Sequence, residues 1–118
     1  MGGRGSSSGI REGVKVRASE KRNADYAERT PEAFKAAYDA VNRMKQANDY
    51  VKVSDMRDEL GWTKKEFDSM IEKLRERGVI QMNLGDQHLL TKREYENGYT
   101  DAMMRHFGMT YGALTWTG

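Results

Sequence analysis

Apolar residues recur along this chain at helical and at strand-like spacings, separated by short polar breaks. Thr30-Pro31-Glu32 opens the first block: Thr offers a capping oxygen, Pro fits the first helical position, and Glu suits the positive end of the helix dipole. Phe34, Ala37, Tyr38, Val41 and Met44 follow at three- and four-residue steps, which predicts a helix with one apolar stripe running to about Gln46. Tyr50-Val51-Lys52-Val53 predicts a short strand. Ser54 predicts the cap of a short helix over 55–60 that Gly61 stops. Thr63-Lys64-Lys65-Glu66 is a capping box, after which Phe67, Met70, Ile71 and Leu74 share the inner face of a third helix ended by Gly78. Residues 79–84 and 87–90, around Gly85-Asp86, predict a tight hairpin. A second capping box, Thr91-Lys92-Arg93-Glu94, predicts a fourth helix that carries Tyr95, Tyr99, Ala102, Met103 and His106 and fades near Gly108.

Three regions follow from this pattern. Residues 1–29 read as a flexible arm, because their Gly-, Ser- and charge-rich start buries nothing. Residues 30–91 form the packed domain, and residues 92–118 add a C-terminal helix and an apolar tail. Charge divides along the same line. Residues 1–22 hold six basic groups (Arg4, Arg11, Lys15, Arg17, Lys21, Arg22) and two acidic ones (Glu12, Glu20), a net +4. The remaining 14 basic and 16 acidic residues leave 23–118 at −2, so the positive charge of the whole, +2, lives on the arm.

Composition narrows the classes. Charged residues at 32% and hydrophobic ones at 37% fit a small core with a solvated tail. The chain has no cysteine, hence no disulfide and no thiolate for metal or catalysis. No apolar run approaches the roughly 18 residues of a membrane span, and the start lacks a secretory hydrophobic stretch, so a cytoplasmic protein without membrane contact is expected. His88 and His106 lie on separate elements without metal-ligand spacing, and the acids Asp55, Asp58 and Glu59 suit a helix N-terminus. No nucleophile–base pair or carboxylate pair is arranged for catalysis. Neither an enzyme, a cofactor nor a metal is expected.

The order helix, strand, helix, helix, strand, strand carries a family resemblance. Ser54-Asp55-Met56-Arg57-Asp58-Glu59-Leu60-Gly61, then 64–78, then Val79-Ile80 resemble the winged helix-turn-helix family, in particular its bacterial members. The start Gly2-Gly3-Arg4-Gly5-Ser6-Ser7-Ser8-Gly9 also resembles openings on proteins of phages and mobile elements. The resemblance implies an α+β, mainly helical domain with a small antiparallel hairpin wing, and a DNA-binding regulator or accessory factor. Under it the third helix enters the major groove and presents Trp62, Thr63, Lys64, Lys65, Ser69 and Lys73. Arg11 and Arg17 of the arm and Lys92 and Arg93 beyond the wing add phosphate contacts.

A second reading stays open. The outer side of the third helix also carries Asp68, Glu72 and Glu76, which oppose phosphates. The tail holds Met103, Phe107 and Trp116, residue types favoured in adaptable contacts. These six residues would serve a protein-interaction module on the same scaffold. The partner would be another protein or a second copy of the chain. The plainer account of the tail is packing against the first helix.

Overall fold

The computed structural model describes residues 26–118. It is an α+β fold, about half helical, with one small three-stranded antiparallel sheet. The elements are α1 (Pro31–Lys45), β1 (Val51–Lys52), α2 (Val53–Leu60), α3 (Lys64–Glu76), β2 (Ile80–Asn83), a 3-10 turn (Gln87–Leu89), α4 (Lys92–Glu96), α5 (Ala102–His106) and β3 (Ala113–Trp116). The arm expected over 1–29 lies outside the described residues up to position 25, and with it Arg11 and Arg17. Its last residues are not loose: Tyr26 is buried against the body.

Local chemistry places α1 and α3 where the apolar steps put them. Thr30 accepts from the Ala33 N–H, and Pro31 follows as the first residue of α1. Phe34, Ala37, Tyr38 and Val41 are buried, while Met44, one step further, stands half in solvent. Thr63 and Glu66 close the capping box of α3, and Phe67, Met70, Ile71 and Leu74 are buried beneath it. Gly61 and Gly78 end α2 and α3 at φ 68 and 72, the left-handed region that disfavours a Cβ. One local expectation is corrected. Val53 already belongs to α2, whose cap position is Lys52, and the Ser54 hydroxyl is buried and accepts from Arg93 instead of capping.

The sheet differs from the expected hairpin. Its order is β1-β3-β2, so β3 is the middle strand. Val51 pairs with Leu114, and Met82 pairs with the same Leu114 from the other side. The partner of β2 is therefore Ala113–Trp116, not the segment 87–90. That segment turns instead: the Asp86 carboxylate accepts from the His88 N–H, and Leu89 is exposed. The tail thus completes the core. Leu114 is fully buried, and the Trp116 ring lies 6.4 Å from Phe34 and 5.9 Å from Tyr38.

The Tyr38 hydroxyl ties three parts of the chain together. It donates to the Asp49 carbonyl at 3.0 Å and accepts from the Trp116 N–H at 3.1 Å. Asn42 clamps Asp49 beside it, donating to its carboxylate and accepting from its N–H, which holds Asp49 at φ 67. Tyr38→Phe deletes the link between α1, the turn and β3 while keeping the ring. We expect it to cost about 1–3 kcal/mol, read as a lower urea midpoint with an unchanged slope.

Residues 84–112 leave the sheet between β2 and β3 and carry α4 and α5. A single helix from Lys92 was expected here; the chain breaks at Asn97-Gly98. A Cβ on Gly98 would meet Thr110 Oγ1 at 2.6 Å and the Tyr111 carbonyl at 2.7 Å, so the returning chain passes where a helix would continue. Tyr99 and Tyr111 instead exchange backbone hydrogen bonds as an antiparallel bridge, and Asp101 caps a new helix by accepting from the Met104 N–H.

Candidate nucleic-acid interface

Helix α3 follows α2 after three residues, and two flanking segments frame its outward side. On one flank lies Tyr26–Arg29. The Tyr26 hydroxyl donates to Glu59 at 2.7 Å, and the Trp62 indole N–H donates to the Tyr26 carbonyl at 2.8 Å. Arg29 pairs with Glu66 at 3.2 Å and lies 5.7 Å from the centre of the Trp62 ring. On the other flank lies the base of the 84–112 excursion. Arg57 donates to the Asn97 and Gly98 carbonyls and to Asp68, and Arg75 pairs with Asp101 while lying over Tyr111.

Between these flanks Lys65, Ser69 and Lys73 follow one another at four-residue steps, and Arg77 continues the row at the helix end. Arg29, Lys65, Glu66, Ser69, Met70 and Lys73 line one shallow depression. The side chains of Lys65, Lys73 and Arg77 have no hydrogen-bond or ion-pair partner among the described residues. The nearby acids differ. Glu66 is committed to its helix: the Thr63 N–H, above all, holds its carboxyl below the usual range, with Arg29 adding to it. Asp68 is shared by Arg57 at 2.8 Å and Lys64 at 2.6 Å. Glu72 and Glu76 stay exposed.

No known family model, curated protein or solved structure matches this chain.

The expected contact residues separate into two groups. Lys65, Ser69 and Lys73 share the open face, with Thr63 exposed at its start. Trp62 does not belong there: it is 8% exposed, its ring 6.3 Å from Phe34, because Tyr26 satisfies its N–H and lets the indole be buried. Lys64 is spent on Asp68. Arg93 sits at the start of α2, bonded to Ser54 and Asp58 and close to Asp55, and Lys92 is exposed beside it on α4.

The residues expected for a protein interface are scattered. Asp68 is neutralised, Trp116 packs on α1, and Met103 on α5 and Phe107 just after it stand exposed. Arg29 and Tyr26 were not foreseen. The one trace of Tyr26 in the sequence is an aromatic residue isolated in a polar stretch just before the Thr30 cap. Among the described residues no group of three His, Asp or Glu is placed to hold a metal, and no helix is long and apolar enough to cross a membrane.

Acid tests how the second flank is held. The Met104 N–H, and after it Arg75, keep the Asp101 carboxyl below its usual range, and Lys52 and the Thr91 N–H do the same for Glu94. A carboxyl lowered on folding stabilises the folded state above its unfolded value, and the gain disappears as pH falls through the folded value. Stability is therefore expected to hold from pH 7 down to about 4 and to fall below it. Urea midpoints across that range check this. Midpoints that rise on acidification contradict it.

Proposed function

We propose that this chain is a winged-helix protein that binds double-stranded DNA through α3, as a transcriptional regulator or accessory factor. The observation that carries the reading is the row Lys65, Ser69 and Lys73 on an outward helix face, its lysines without an ion pair among the described residues, while Glu66 and Asp68 are paired and Glu72 and Glu76 stay exposed. Lysines so placed suit phosphates or guanine, and the Ser hydroxyl suits backbone or base edges. The element order and the sheet order β1-β3-β2 support the winged-helix part of the reading. In that reading the wing is the whole excursion 84–112.

Glu72 and Glu76 shape what such a surface tolerates. Two exposed carboxylates near phosphates weaken binding to arbitrary sequence, and a carboxylate accepts from the cytosine amino group. A reader of this kind depends on base contacts more than on bulk charge. Substituting Lys65→Ala and Lys73→Ala together removes about two phosphate contacts, so the slope of log K against log salt is expected to become shallower by about 2. Fluorescence titration at several salt concentrations measures it. A double variant with the slope of the parent would remove α3 from the interface.

A further inference from the structure

Residues 100–110 form an apolar tip on a polar mount. Met103 on α5 and Phe107, the residue that ends it, are 65% and 64% exposed. Side chains that far into solvent add nothing to the core. Yet the base that holds them out is fixed by several independent bonds. Tyr99 and Tyr111 pair through their backbones and stack at 6.3 Å, the Thr110 hydroxyl donates to the Tyr99 carbonyl, and the Gln87 amide binds both the N–H and the carbonyl of Thr110. The Thr100 hydroxyl donates to the Met109 carbonyl, and the Tyr95 hydroxyl donates to Gly108. Arg75 fastens this base to α3 through Asp101.

Past Asp101 the tip carries one formal charge, that of Arg105. Arg105 and His106 lie in sequence between Met103 and Phe107, and residues 102–118 contain no Asp or Glu. Asp101, at the base, is already taken by Arg75 and the Met104 N–H. An exposed ring and thioether on a segment whose one formal charge past Asp101 is a guanidinium complement a polyanion that offers flat apolar faces. Nucleic acid has that chemistry: a ring stacks on any base, an apolar side chain parts a base step, and Arg meets phosphate.

We propose that Phe107, flanked by Met103, is a wedge that parts a base step of the duplex held by α3, with Arg105 on the adjoining phosphate. The inference rests on the DNA-binding reading of α3. Binding through the tip then kinks the duplex, and the rigid base transmits the strain because Arg75 ties it to α3.

The full chain tests this with a short mixed-sequence duplex carrying a donor and an acceptor fluorophore at its ends. Permanganate oxidation of unstacked thymines is read in parallel. The parent protein is expected to raise energy transfer and to expose thymines at one step. Phe107→Ala is expected to abolish both signals and to weaken binding about tenfold, with its melting temperature unchanged because the ring is exposed. Parent protein that binds with neither signal overturns the wedge and leaves the α3 reading standing. Parent protein that binds no duplex even at low salt overturns both. If Phe107→Ala keeps both signals but turns a dimer into a monomer in sedimentation, the tip joins two copies of the chain and the wedge is overturned.

Discussion

A chain ended at Gly112 is expected to lose its fold, not merely its tail. β1 and β2 each pair with β3 and not with each other, so removing residues 113–118 dissolves the sheet. It also takes away Leu114, which is fully buried, and the Trp116 ring that covers Phe34 and Tyr38. The N–H groups of Thr117 and Gly118, which donate to the Val79 carbonyl, go with them. Truncating one large buried side chain costs about 2–5 kcal/mol, and small domains hold only about 5–15 kcal/mol in total. Thermal unfolding followed by circular dichroism should show no cooperative transition. A truncated chain that melts cooperatively within a few degrees of the parent would mean that β3 is an appendage.

Phe34→Ala is expected to be the costliest single substitution. Phe34 is fully buried on α1, with Phe67 at 5.5 Å, Trp62 at 6.3 Å and Trp116 at 6.4 Å between ring centres. It joins α1 to α3, to the turn before α3 and to the middle strand. Removing the ring leaves a cavity that these large neighbours fill only in part, a loss of about 3–5 kcal/mol. Phe34→Leu keeps most of the volume and is expected to lose much less. Urea unfolding of the two variants separates lost volume from lost shape. A change below about 1 kcal/mol for Phe34→Ala would mean that the cluster is not the centre of the core.

What the sequence revealed follows from the range of the interactions involved. Helices α1 and α3 were readable because their caps and stripes are settled within a few residues: Thr30 with Ala33, Thr63 with Glu66, Phe67 with Ile71 and Leu74. The α+β class followed from the same local signals. Strand β3 was not readable. Ala113-Leu114-Thr115-Trp116 has no clean alternation: Ala113 and Leu114 are both buried, and all four pair with strands far off in sequence. Gly85-Asp86 has the composition of a hairpin turn, but the strand that β2 accepts comes 30 residues later.

The site divides in the same way. The row Lys65, Ser69 and Lys73 is a matter of helical spacing and was legible. The neutralising of Asp68 was not, since Arg57 reaches it from α2 only once α2 and α3 are packed. Trp62 was misplaced for a similar reason: its indole partner, Tyr26, stands far upstream in the chain.

In the proposed function α3 itself, and not only the basic arm, meets DNA. Its most direct test is a titration of residues 23–118, which lack the +4 segment, against mixed-sequence duplex at low and moderate salt. Weaker but measurable binding with a distinct salt slope is expected, lost again when Lys65 and Lys73 are neutralised. Binding by the full chain that vanishes completely without residues 1–22 would contradict it and leave α3 a bystander.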